Sequence, residues 1–174
     1  YLLHFPVLFR YKGDEAKWPE SPEDLLDKDY MDVWREMEKL VEKGLVKHIG
    51  VSNFNAQQIQ RVVDCSHTKP ICNEIEFHPG FARDELIKLC EKLNVKVLAY
   101  CPLGRHNEQK MEPKFLYDEQ VAEIGRKYNK SSAQIALRFE IQCGVIPLPK
   151  SGRAERLYEN INVFDFQLSE EEMN

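Results

Sequence analysis

Short apolar runs alternate with segments of helical spacing along the whole chain, and that regularity limits the fold more than any other feature. Runs bounded by polar residues mark strands at about 1–4, 46–51, 71–76, 95–100 and 144–148. Between the first two, Tyr30, Val33, Trp34, Met37, Leu40 and Val41 share one helical face, and Gly44 stands where a helix-ending residue belongs. Asn55 caps a second helix, with Gln58 three residues on and Ile59, Val62 and Val63 on its inner face. Leu86, Leu89, Cys90 and Leu93 mark a third. A helical pair spans about 118–128 and 132–143, and a last helix about 154–161. Strand and helix in succession argue for a parallel α/β fold. The short hydrophobic runs at 95–100 and 144–147 fit strands covered by helices.

Five strands are compatible with an open doubly wound sheet or with part of an eight-stranded barrel, which takes roughly 250 residues. The open sheet predicts a phosphate loop after one of its strands. Neither G-x-G-x-x-G nor G-x-x-x-x-G-K-[ST] occurs among the eight glycines. The ends point the same way. Tyr1-Leu2-Leu3 reads as a strand with no turn before it, and Ser169 with Glu172 reads as the capping box of a helix that has little chain left to run. The expectation is therefore a piece of a longer protein, one domain folded as a partial (β/α)8 TIM barrel. The least regular stretches, about 10–28 and 104–116, both follow a strand.

Composition narrows the function classes. The 174 residues are 43% hydrophobic and 30% charged, as in a soluble globular domain. Lys and Arg number 24 against 29 Asp and Glu, a net charge of −5, which argues against nucleic-acid and membrane partners. No apolar run approaches the ~20 residues that span a bilayer. Five cysteines without a C-x-x-C pair suggest reduced thiols in a cytoplasmic protein, with neither a disulfide scaffold nor a cysteine zinc site.

In parallel α/β folds the chemistry collects beyond the C-terminal ends of the strands. Those positions carry His4, Ser52 with Asn53, Glu74 with Glu76, Tyr100, and Lys150 with Ser151. Together they suggest a site for a large polar ligand with a planar ring. The segment from Pro149 to Arg156 is the most informative. It places Lys150, Ser151, Arg153 and Arg156 around a helix start, where free N–H groups and the positive dipole end already favour an anion and disfavour cations. A phosphate accounts for that arrangement.

Leu3-His4-Phe5-Pro6, Gly50-Val51-Ser52-Asn53-Phe54, Ala99-Tyr100-Cys101-Pro102-Leu103-Gly104, and Ile146-Pro147-Leu148-Pro149-Lys150-Ser151 with Glu159-Asn160 resemble the aldo-keto reductase superfamily, most closely its aldose and aldehyde reductase branch. The resemblance covers essentially the whole chain, in order and spacing. It implies a (β/α)8 barrel that binds extended NADP(H) without a Rossmann motif. This chain would run from the fourth strand to the last strand and its helix. The catalytic Asp, Tyr and Lys would then lie upstream, the 174 residues alone would be inactive, and the full-length protein would be a monomer acting on a small-molecule carbonyl substrate.

The same resemblance implies a role for each matching residue. His4 matches the histidine that hydrogen-bonds the substrate carbonyl, and Phe5 stands where many members have Trp and lines the substrate pocket. Ser52 and Asn53 match residues that bond the nicotinamide carboxamide. Glu74 replaces a common Gln, so it can accept from that amide but not donate. Tyr100 matches the ring that stacks on the nicotinamide. Cys101, where Ser is frequent, and Leu103 follow the pyrophosphate path. Lys150, Ser151, Arg153 and Arg156 resemble the clamp on the adenosine 2′-phosphate, which favours NADP(H) over NAD(H). Arg153 departs from the usual small polar residue. Glu159 and Asn160 match residues at the adenine amino edge.

Read without the resemblance, each residue keeps an ordinary alternative: a strand-end histidine satisfied by backbone, a turn and cap at Ser52-Asn53, a core tyrosine, a solvated helix face at Glu159-Asn160. His48, His67 and His106 read as solvent-facing, His78 as a loop organiser, and no metal site is expected. Two other functions fit the same residues. One is a non-catalytic NADPH-binding relative acting as a regulatory subunit. The other is a barrel isomerase or aldolase that uses Lys150-Ser151 for a substrate phosphate.

Overall fold

The computed structural model describes residues 1–11, 13, 21–105 and 107–174, so His106 lies outside the described residues. The elements are β1 (Leu2–Leu3), β2 (Leu8–Phe9), β3 (Leu25–Leu26), α1 (Tyr30–Glu42), β4 (Gly50–Ser52), α2 (Ala56–Cys65), β5 (Cys72–Glu76), α3 (Asp84–Lys92), β6 (Lys96–Tyr100), α4 (Glu119–Tyr128), α5 (Ser132–Gln142), β7 (Val145–Pro147) and α6 (Ala154–Ile161). They divide into two compact units, one of Tyr1–Glu74 with Cys90–Val95 and one of Ile75–Leu89 with Lys96–Asn174.

In the first unit, β1 lies parallel to β4 with Leu2 opposite Gly50, and β4 lies parallel to β5 with Ser52 opposite Glu74. Gly50 allows the strands to come this close. A Cβ there would sit 2.7 Å from the Cys72 sulfur and 2.8 Å from a Leu2 methyl. Asp29 caps α1 by accepting from the Met31 N–H at 3.0 Å, and the helix buries Met31, Trp34 and Met37. It ends at Gly44, whose φ of +68° suits the left-handed residue that closes a helix. Asn55 and Gln58 form the reciprocal cap of α2, which buries Ile59, Val62 and Val63.

Two expectations for this unit need correction. The strand foreseen from residue 46 begins only at Gly50, because Leu45 and Val46 donate back to the Leu40 carbonyl at 2.9 and 3.4 Å and close the end of α1. The stretch 10–28, read as irregular, is bounded by a short antiparallel pair. There β2 meets β3, with Leu8 opposite Leu26 and Phe9 opposite Leu25.

In the second unit, β6 and β7 are parallel, with Val97, Leu98 and Ala99 opposite Val145, Ile146 and Pro147. Asp118 caps α4, and Asn129 ends it in the left-handed conformation at φ +54°. Gly125 lets Lys130 turn back, since a Cβ there would stand 2.5 Å from the Lys130 carbonyl oxygen. α5 starts with a reciprocal cap between Ser131 and Gln134 and buries Ile135, Ala136 and Leu137. Phe77 and Phe139 stack at 6.5 Å in this core. The cap expected near the C-terminus is present as well: Ser169 N–H donates to Glu172 at 2.8 Å, and Glu172 N–H donates to the Ser169 hydroxyl at 3.3 Å.

Candidate functional site

Each unit carries its own share of the sequence-expected residues, gathered at the C-terminal ends of its strands. In the first unit, Ser52 is 2% exposed at the end of β4, and its hydroxyl donates to the Glu74 carbonyl at 2.9 Å. The Asn53 N–H donates to the same carbonyl, also at 2.9 Å. Asn53 adopts φ +62°, a conformation that asparagine tolerates better than most residues. Its side-chain amide donates to the His4 carbonyl at 3.0 Å and to the Ser52 hydroxyl at 3.1 Å. His4, Ser52, Asn53 and Glu74 are thereby joined into one hydrogen-bonded set, and Asn53 adds a side-chain link to the ladder between β1 and β4.

The His4 ring is exposed and stacks on Phe5 at 4.4 Å, and Phe5 meets Phe9 of β2 edge-on at 6.3 Å. The short antiparallel pair thus adds an apolar wall beside the histidine. The Glu74 carboxylate is half-buried and has no hydrogen-bond or ion-pair partner among the described residues. Cys72 shares its face of the strand; burial first, and then the charge of Glu74, push the Cys72 thiol upward.

In the second unit, Tyr100 ends β6. Burial, followed by the nearby charges of Glu76 and Cys101, raises its phenol above the ordinary value against the pull of Arg83 and Arg105. The turn that follows is tightly set. Cys101 has φ +50° and Gly104 φ +64°, and the Gly104 N–H donates to the Cys101 carbonyl at 2.7 Å. Only glycine fits there, because a Cβ would stand 2.7 Å from the ring of Pro113.

A groove of about 490 Å3 opens beside this turn, and Leu103, Lys150, Ser151, Arg156, Glu159 and Asn160 all line it. Arg153 stands at the N-cap of α6 and makes no side-chain capping bond. Instead the Ser151 hydroxyl accepts from the Arg153 N–H at 3.1 Å. Lys150, Arg153 and Arg156 are exposed, and none pairs with a carboxylate among the described residues. Three cations with no carboxylate partner among the described residues stand around a helix start without a side-chain cap, with Glu155 in its first turn. Three expected residues of this unit stand outside the lining of the groove: Arg153, which flanks the helix start, and Tyr100 and Cys101, where β6 ends and the turn begins.

Leu116, Tyr117 and Ser131 also line the groove, and the sequence reading singled out none of them. The S-x-x-Q spacing at 131–134 does signal a helix cap. It carries no sign of the bond that the Ser131 hydroxyl donates to Glu159, 28 positions away. His78 organises its loop as expected. It accepts from the Phe81 N–H through its carbonyl at 2.8 Å and stacks on Phe115 at 5.5 Å. Burial pushes its imidazole down, toward the neutral form. Among the described residues, no group of three His, Cys, Asp or Glu side chains could hold a metal ion, and no helix is long and apolar enough to cross a membrane.

Residues 8–174 match the sequence model of the aldo/keto reductase family. Aldo-keto reductase family 1 member A1-A of Danio rerio is 42% identical over 178 residues, covering 99% of this chain and 55% of its own. Member A1 of Gallus gallus is 43% identical over 180 residues, covering 100% of this chain and 54% of its own. Among solved structures, the aldose reductase from Schistosoma japonicum superposes with a TM-score of 0.88 at 40% identity, over 99% of this chain and 55% of that one. The Bombyx mori aldo-keto reductase AKR2E4, solved in complex with NADP, superposes with a TM-score of 0.87 at 37% identity, over 99% and 54%. The chain spans about half the length of the curated relatives it matches.

Proposed function

The chain belongs to the aldo/keto reductase family, an α/β fold of which it carries a partial (β/α)8 barrel, and on that basis we propose that the protein reduces aldehydes or ketones to alcohols with NADPH. The observation that carries the reading is the mouth of the groove in the second unit: unpaired Lys150 and Arg156 beside Ser151, at a helix start without a side-chain cap. A phosphate monoester fits that donor set. The lysine supplies a point charge, the serine a hydroxyl, and the guanidinium a planar fork. Arg153 adds charge from the rim.

NADPH, when bound, supplies the hydride. The remaining work falls to the chain's own groups. Ser52 and Asn53, with their donors and acceptors ordered by the Glu74 and His4 carbonyls, hold the carboxamide. Glu74 accepts from its NH2 group. Tyr100 offers a neutral ring for stacking and so orients the reacting face. Cys101 and Leu103 present the backbone of the tight turn to the pyrophosphate, while Glu159 and Asn160 meet the adenine amino edge. His4 donates to the substrate carbonyl oxygen, and Phe5 packs against the carbon side of the substrate.

Titration of the full-length protein with NADPH and NADH tests the reading. Arg156→Ala should weaken NADPH by roughly 30-fold, the scale of one charge-assisted hydrogen-bond pair, and leave NADH nearly unchanged. An equal loss for both nucleotides would remove the 2′-phosphate assignment. No response to either nucleotide would favour the isomerase or aldolase that grips a substrate phosphate.

A further inference from the structure

Glu159 is held from two directions by the start of the neighbouring helix. The Ser131 hydroxyl donates to the Glu159 carboxylate, and the same oxygen accepts from the Gln134 N–H at 3.3 Å, as a helix cap does. Gln134, 6% exposed, closes the cap by accepting from the Ser131 N–H at 3.0 Å. Its amide then donates to the carbonyls of Glu159 at 3.1 Å and Asn162 at 2.8 Å. The reciprocal cap of α5 therefore also clamps the last turn of α6, backbone and side chain together. Ser131 and Glu159 line the same groove as Arg156 and Asn160.

A serine hydroxyl carries a single proton. Because the oxygen accepts from the backbone, that proton remains available for Glu159. With one carboxylate oxygen tied to Ser131, the carboxylate of this groove-lining residue has a fixed orientation and keeps lone pairs for a further donor. From this we propose that Ser131 is a positioning residue for purine recognition: it holds Glu159 so that the carboxylate accepts from the 6-amino group of adenine and repels a 6-carbonyl. The proposal rests on the placement of the adenine end of NADPH in this groove. The chemistry it adds is discrimination between a donor and an acceptor at one purine position, set by a residue that need not touch the ligand.

The test compares NADPH with its reduced hypoxanthine analogue, which replaces the 6-amino group by a carbonyl, in fluorescence titrations of the full-length protein. The wild type should prefer NADPH about tenfold, the value of one hydrogen bond to a charged group. Ser131→Asp and Ser131→Gly both keep the helix cap, since aspartate and glycine serve at that position, but neither can donate to Glu159. Both should lower the preference to about twofold or less, with a thermal unfolding midpoint close to the wild type for Ser131→Gly and a lower one for Ser131→Asp, which sets a second carboxylate against Glu159. Ser131→Thr, which keeps the hydroxyl, should restore it. Glu159→Ala should abolish it.

If Ser131→Gly or Ser131→Asp folds normally and keeps the tenfold preference while Glu159→Ala loses it, the positioning role of Ser131 is wrong. If Glu159→Ala also keeps the preference, the carboxylate does not read the purine and the proposal fails with it. Failure of the wild type to bind NADPH at all would instead overturn the reading of the protein as a reductase.

Discussion

A glutamate and a glutamine differ by one group, and at position 74 that group decides whether the side chain can donate. The Glu74 backbone already positions Ser52 and Asn53 through its carbonyl, so changing the side chain leaves that scaffold in place. Glu74→Gln should tighten NADPH by about three- to tenfold, because the amide adds a donor facing the carboxamide oxygen. Nucleotide titration of the variant checks this, and an unchanged affinity would mean that the carboxamide is bound elsewhere. Glu140 shows the opposite case, a carboxyl with no apparent task. It is 0% exposed, neither oxygen has a hydrogen-bond partner among the described residues, and burial pushes its pKa up to about 9. A carboxyl whose folded pKa lies above its unfolded value holds a proton that the unfolded chain has released. Its contribution therefore falls as pH rises from about 4.5 toward 9. Glu140→Leu should raise the unfolding midpoint and flatten its fall between pH 5 and 8 in calorimetric scans at about those two values. A pH dependence as steep as that of the wild type would show that Glu140 finds a partner in solution.

The helices were legible from their ends as much as from their faces. Asn55 with Gln58, and Ser169 with Glu172, are polar groups that answer a local need of the backbone, so a few neighbouring residues suffice to recognise them. Asn55→Ala removes one such group at an exposed site and should cost about 1 kcal/mol in denaturant unfolding, without altering nucleotide binding. A loss of binding would reveal that the turn from Ser52 to Asn55 is less independent than its hydrogen bonds suggest. The strands were legible in order but not in extent. Val46 has the apolarity of a strand residue, yet its N–H serves the end of α1, a choice made by Gly44 rather than by Val46 itself. The pairing of β2 with β3 left no sequence trace, because two residues a side make no period. The site divides in the same way. His4, Ser52, Tyr100 and Lys150 could be found because each ends or follows a strand, whereas the bond from Ser131 to Glu159 joins the start of α5 to the last turn of α6 through tertiary contact and has no local pattern.

Across the larger scale, the second unit leaves an apolar surface uncovered. Ile146 of β7 is 47% exposed, and Leu157 and Ile161 of α6 are 51% and 65% exposed, with Phe164 just beyond at 66%. These side chains surround a groove of about 520 Å3, and α6 buries none of its residues fully. A helix with a strongly apolar face and nothing packed on it carries the signature of an element that expects a neighbour. The relatives are nearly twice as long as this chain, so they have ample polypeptide to cover such a face. The 174-residue polypeptide, produced by itself, should therefore bind a hydrophobic dye and self-associate as its concentration rises. Light scattering behind size-exclusion chromatography would register the association. Leu157→Lys with Ile161→Glu should suppress both effects in that polypeptide, since neither side chain contributes to the buried core. In the full-length protein the same pair should lower the unfolding midpoint, because charges would then lie where apolar packing belongs. A polypeptide that stays monomeric and dye-silent would mean that this face is stable in water, and the substitutions should then leave the full-length protein unharmed.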